Sequence, residues 1–142
     1  MEDSLDLAEV IRFEIVVAES RQTYGGAGGF RKLRVWEMAM DLTESVYRLT
    51  IAIPVEERYG LTRQIRRAAV SVPSKIAEGS GRGSKGEFAY HVGVAIGSLR
   101  EVQTQILLAE RLGPTASIEG TIDDAESLGR MLTNLRRYLE GT

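Results

Sequence analysis

"FAYHVGVAIGSLREVQTQILLA", Phe88 to Ala109, decides the fold of this chain. Phe88, Val92, Ala95, Leu99, Val102, Ile106 and Ala109 recur at alternating spacings of four and three. That period lays one apolar stripe along an α-helix, whereas a strand would alternate at every second residue. Just before the run, Ser84 and Glu87 match the S-x-x-E capping box, which predicts a helix start near Lys85. "LGP", Leu112 to Pro114, supplies glycine as a stop with proline beyond it. At about 1.5 Å per residue such a helix spans roughly 40 Å.

The same spacing continues on either side. Upstream, Leu61, Ile65, Ala68, Val72, Ile76 and Gly79 form a second stripe, and Val35, Ala39, Leu42, Val46, Leu49 and Ile53 form another, closed by Pro54. Downstream, Ile118, Ile122, Ala125, Leu128, Leu132, Leu135 and Leu139 lie on a helix that should end near Glu140. None of the four can bury its stripe alone. Short loops between them predict an all-α, up-down-up-down four-helix bundle with left-handed, knobs-into-holes packing. Pro73 sits inside the second helix and removes one backbone hydrogen bond. The stripe resumes at Ile76, so a kink is expected there, with the Ser71 or Ser74 hydroxyl helping the freed carbonyls.

The bundle accounts for residues 30–142. Residues 1–29 hold six Asp/Glu and two Arg and end in "YGGAGG", and read as an acidic extension with a glycine-rich linker. The start lacks a basic n-region, no apolar run reaches membrane-helix length, and the default expectation is a cytoplasmic protein. There is no cysteine and only one histidine, His91, in the 142 residues. Thiolate chemistry is therefore excluded, and a protein-only zinc site is not expected.

Charge is unevenly placed. Between residues 58 and 85 stand seven cations, Arg58, Arg63, Arg66, Arg67, Lys75, Arg82 and Lys85, against Glu78 alone. Arg63, Arg66 and Arg67 share one helical ridge by their spacing, and arginine's planar fork suits phosphate. Arg63, Arg66, Arg67, Lys75, Arg82 and Lys85 are the candidate nucleic-acid contacts. Intramolecular or intersubunit pairing is the competing account of the same residues. Aromatic interleaving is thin, with Tyr59 and Phe88 nearby, so base stacking has little support.

Other motifs weigh against an enzyme. Gly81, Gly83 and Gly86 spell G-x-G-x-x-G, but a helix precedes them where the dinucleotide fold needs a strand. A Walker A fails because Ser84 stands where glycine should be and Gly86 where Ser/Thr should be. The bland account is a helix–helix loop whose glycines allow positive φ. His91 reads as a helix-flank residue, and the carboxylate pairs Glu56/Glu57 and Asp123/Asp124 read as helix-start charges. No catalytic residues, metal or cofactor are expected. Gly93 and Gly97 on the third helix, with Val94 and Ile96 beside them, read either as close packing inside the bundle or as a subunit contact.

"FRKLRVWEMAMDL" (Phe30 to Leu42), "YGLTRQIRRAAVSVPSKIAEGSGR" (Tyr59 to Arg82) and "GSLREVQTQILLAERLG" (Gly97 to Gly113) resemble the four-helix-bundle proteins of the ribosomal RNA intervening-sequence family. These are small bacterial proteins first noticed as reading frames in insertions within large-subunit ribosomal RNA genes. The family's "SIPSNIAEG" appears here as "SVPSKIAEG", with Lys75 in place of the usual Asn. Arg66, Arg67, Glu78 and Gly79 match its signature. The resemblance implies a homo-oligomer, commonly a homopentamer. It also implies kinship with the accessory variability determinant of diversity-generating retroelements, which engages nucleic acid and a reverse transcriptase. The expected partners are thus a second copy of the chain, RNA or DNA, and a reverse transcriptase or other nucleic-acid enzyme, with no membrane. The alternative is an oligomeric scaffold whose arginines form intersubunit salt bridges.

Overall fold

The computed structural model describes residues 29–54, 56, 58–113 and 116–141, with the backbone alone at 58 and 59. The expectations for residues 1–28, Glu57 and Pro114, and any side-chain role of Arg58 or Tyr59, lie outside the described residues. A 3-10 turn at Gly29–Lys32 leads into α1 (Arg34–Ile51), and a π turn at Arg58–Thr62 leads into α2 (Arg63–Ser80). α3 (Lys85–Leu112) and α4 (Glu119–Glu140) complete the chain, with no strand among the described residues.

The stripes are the core. Val35, Ala39 and Val46 of α1, Ile65, Val72 and Ile76 of α2, Val92, Ala95 and Leu99 of α3 and Leu132 of α4 are sealed from solvent. Burying each of the larger aliphatic side chains contributes about 1.5–3 kcal/mol. Every position of the first three stripes is buried, and in the fourth Ile122 alone is half-exposed.

Side-chain contacts fix the direction of each helix. Thr43 reaches Ala69 and Thr50 reaches Arg66; Ser71 reaches Ser98 and Gly79 abuts His91; Gln103 reaches Glu126 and Gly93 abuts Arg136. Numbers rise on one helix as they fall on its partner, so consecutive helices are antiparallel. α4 also packs against α1, which closes the up-down-up-down bundle.

Local chemistry sets the ends. Ser84 caps α3, its hydroxyl accepting the Glu87 amide at 3.1 Å and facing the Glu87 carboxylate at 3.3 Å. α3 stops at Gly113 and α4 at Gly141, the latter with φ of 76° in the left-handed region. In the α2–α3 connection only Gly83 needs a positive φ, 88°. Of the G-x-G-x-x-G glycines, Gly81 and Gly83 thus lie in a turn between two helices and Gly86 in the first turn of α3, with a helix and not a strand before them.

α2 runs unbroken through Pro73 to Ser80. Proline at 73 leaves the Ala69 carbonyl without its i+4 amide. The hydroxyl that answers it is Thr43 Oγ1 on α1, 3.1 Å away. Neither expected serine does this: Ser71 bonds Ser98 across the α2–α3 seam, and Ser74 donates to the Val70 carbonyl. The substitute donor comes from the neighbouring helix because the freed carbonyl faces the α1–α2 seam, a direction that spacing within α2 does not encode.

Candidate nucleic-acid interface

The candidate cations do not form one ridge. Arg66 turns toward α1. Its Nε donates to Thr50 Oγ1 at 2.8 Å, its Nη2 lies 3.4 Å from the Tyr47 carbonyl, and its guanidinium stands 4.6 Å from the centre of the Tyr47 ring. Thr50 is buried and passes its own proton to the Tyr47 carbonyl at 3.0 Å. Arg66 therefore fastens the end of α1 to the start of α2, by a charged hydrogen bond and a cation–π contact.

Lys75 and Arg82 are gathered by Glu78. Lys75 Nζ, one turn earlier on α2, lies 3.2 Å from Oε2, and Arg82 Nη2, just beyond the end of α2, lies 3.0 Å from Oε1. His91 Nε2 on α3 stands 3.3 Å from Glu78 Oε1, while its Nδ1 donates to the Glu87 carbonyl at 2.7 Å. The Arg82 and Lys75 hydrogen bonds hold the Glu78 carboxyl down at about 2, from an ordinary value of 4.5. A depressed pKa in the folded state means that this clasp stabilises fully above about pH 4.5 and weakens as pH falls toward 2. The thermal stability gap between the native chain and Glu78→Gln should therefore be largest near neutrality and close on acidification to pH 2. A gap independent of pH over that range would show that the ion pairs contribute nothing. Since Glu78 is partly exposed, the gap should be small and shrink further in salt.

His91 is not a flank residue. It is 9% exposed, wedged between Glu78 and the α2 backbone at Gly79. A β-carbon built on Gly79 would stand 2.5 Å from His91 Cβ and 3.2 Å from Phe88 Cδ1. Glu78 and Gly79 thus serve contact between α2 and α3: one orients the histidine and the other makes room for it.

What remains of the basic segment is Arg63 and Arg67, one turn apart on α2. Neither makes an ion pair or a hydrogen bond among the described residues. Lys85 lies 5.1 Å from the ring centre of Tyr138 at the start of α3. Phe88 is buried, so no ring there is open for a base.

The α3 residues separate as well. Gly93 faces α4, where an added β-carbon would stand 2.9 Å from the Arg136 guanidinium, the movable end of a long side chain. Ile96 packs against the core. Gly97 is exposed with nothing within 4 Å of an added β-carbon, and Val94 is half-buried on the same side. That side carries Tyr90, Leu108 and Leu112, with Tyr90 67% and Leu112 63% exposed. Met40, Tyr47 and Ile51 mark a second exposed apolar line on α1. Their 7 and 4 spacing was readable in the sequence, one step off the core stripe.

No group of histidine and carboxylate residues able to hold a metal occurs among the described residues, and no described helix is long and apolar enough to cross a membrane. A search of curated proteins finds no match. The family model described as 23S rRNA-intervening sequence protein matches residues 31–134, from the turn before α1 into the last turns of α4. With that match over well more than half its length, on a chain of four packed helices, the chain belongs to the 23S rRNA-intervening sequence protein family.

Proposed function

We propose that this bundle is a non-enzymatic homo-oligomer, a pentamer on the family resemblance, that presents Arg63 and Arg67 to RNA or DNA. It serves beside a nucleic-acid-processing enzyme such as a reverse transcriptase. The observation that carries the assembly is the pair of exposed apolar lines on different helices, Met40, Tyr47 and Ile51 on α1 and Tyr90, Leu108 and Leu112 on α3. Large apolar side chains grouped on a surface mark contact sites. Two unlike patches on one molecule fit a heterologous contact, which closes into a ring when the rotation allows. Nucleic-acid binding is supported by the two arginines that have no partner among the described residues, within a domain whose other candidate cations Arg66, Lys75, Arg82 and Lys85 are engaged internally.

Native mass spectrometry of the full chain tests the assembly. The native protein should be a closed oligomer, and Leu108→Lys with Leu112→Lys should give monomer that keeps its helical circular dichroism. A monomeric native protein would overturn the assembly. Titration of labelled single-stranded RNA and DNA across salt tests the rest. Arg63→Gln should lower the log–log salt slope by about 0.7–0.9, the share of a single phosphate neutralised by one arginine. Absence of binding to either strand at low salt would remove nucleic acid from the function and leave a scaffold.

A further inference from the structure

α2 and α3 leave a polar furrow of about 290 Å³ between them. Gln64, Arg67 and Ser71 line it from α2, and Ser98, Glu101 and Gln105 line it from α3. The Ser71 and Ser98 hydroxyls are 2.9 Å apart and satisfy each other. Around them stand two exposed charges and one bare buried acceptor. Arg67 and Glu101 share the furrow, yet neither pairs with the other or with any other described residue. Gln105 Oε1 is buried and has no hydrogen-bond partner. A buried acceptor left bare is costly, and native structures hold few of them.

The furrow therefore offers a forked donor from α2, and a carboxylate with an unanswered amide oxygen from α3. Its volume suits one small planar group and no folded element. The complementary ligand must present adjacent N–H donors to the carboxylate and an acceptor to the guanidinium. Among the nucleobases guanine does this: N1–H and the N2 amine stand side by side and match the two oxygens of a carboxylate, while O6 and N7 accept from arginine. Adenine, cytosine and uracil set an acceptor beside their Watson–Crick donor, so a carboxylate meets repulsion there. Unpaired bases in RNA are read by hydrogen bonds along these edges.

We propose that the α2–α3 furrow is a pocket for the edge of an unpaired guanine, with Glu101 and Gln105 accepting from its N1–H and N2 amine and Arg67 donating to its O6 or N7. The proposal rests on the nucleic-acid reading above and names what that site selects. Arg63, one turn before Arg67 on α2, takes the phosphate of the same strand. The furrow has no aromatic wall, so selectivity comes from hydrogen bonds and not from stacking.

The test is fluorescence anisotropy of the full chain with short single-stranded adenosine RNA oligomers carrying one central guanosine, inosine or adenosine, at one low salt concentration. The guanosine oligomer should bind about tenfold tighter than the adenosine oligomer, as expected for a bidentate base contact. Inosine, which lacks the N2 amine, should fall between. Glu101→Gln should bring the guanosine-to-adenosine ratio near one, whatever it does to overall affinity by removing a negative charge. Arg63→Gln should weaken all three oligomers alike and leave the ratio intact. Equal binding of the three oligomers, with a ratio that Glu101→Gln does not change, would overturn the guanine pocket while leaving the nucleic-acid function standing. Failure of all three to bind would remove that function and the pocket with it.

Discussion

Gly79→Ala should destabilise the protein by about 2 kcal/mol or more, although alanine is the better helix former by about 1 kcal/mol. Position 79 is the last buried point of the α2 stripe, one residue before the helix ends. A β-carbon there lies 2.5 Å from His91 Cβ. Rotation of the histidine ring cannot relieve that contact, because Cβ is fixed to the α3 backbone. The helices must separate, and forcing extra volume into a packed seam costs about 1–3 kcal/mol, occasionally more. Separation would also pull His91 Nε2 from Glu78 Oε1, now 3.3 Å away. Thermal unfolding at matched protein concentration should show a drop of about 5–10 °C. Combining Gly79→Ala with His91→Ala should not recover the stability, since alanine keeps the offending carbon. A melting temperature for Gly79→Ala equal to or above that of the native chain would show that α2 and α3 are not held together at this point.

Thr43→Val should cost about 1–3 kcal/mol, the penalty of stranding a buried acceptor. Valine keeps the shape and removes only the hydroxyl. The Thr43 hydroxyl lies 2.8 Å from the Ala39 carbonyl and 3.1 Å from the Ala69 carbonyl. Ala39 still receives the backbone amide of residue 43, whereas Ala69 lacks its amide because position 73 is proline. The damage should therefore depend on Pro73. Thr43→Val made in a Pro73→Ala background should cost little, because alanine restores an N–H to the Ala69 carbonyl. Urea unfolding of the four chains of this double-mutant cycle measures the coupling. Equal costs of Thr43→Val in both backgrounds would show that the threonine does not serve the carbonyl the proline frees.

The helices and their buried faces were legible because an apolar stripe is a local property, readable from period alone. The Ser84 cap and the Gly113 stop were legible for the same reason, since each involves groups within one turn. The basic segment was legible as composition and not as a surface. Arg63, Arg66 and Arg67 share a helical face by spacing, yet Arg66 leaves it for Thr50 and Tyr47, sixteen and nineteen positions earlier. Glu78, the lone acid of the segment, takes up Lys75 and Arg82 and binds His91 from another helix. Gly93 offered packing and subunit contact as rival readings, and its nearest neighbour, the Arg136 guanidinium, comes from α4, which no spacing on α3 reveals.

The sequence by itself determined that there are four helices, where three of them end, which face of each is buried, and that Gly81 and Gly83 lie in a turn between two of them. Periodicity, capping and turn chemistry act over a few residues, so a linear reading contains them. Only the tertiary structure decided which arginines remain open, why Gly79 has no side chain, which hydroxyl completes the helix at Pro73, and that Arg67, Glu101 and Gln105 meet in one furrow. Each of those depends on groups brought together from different helices, and a side chain's partner is set by the register and rotation of helices that the spacing along any one of them does not specify.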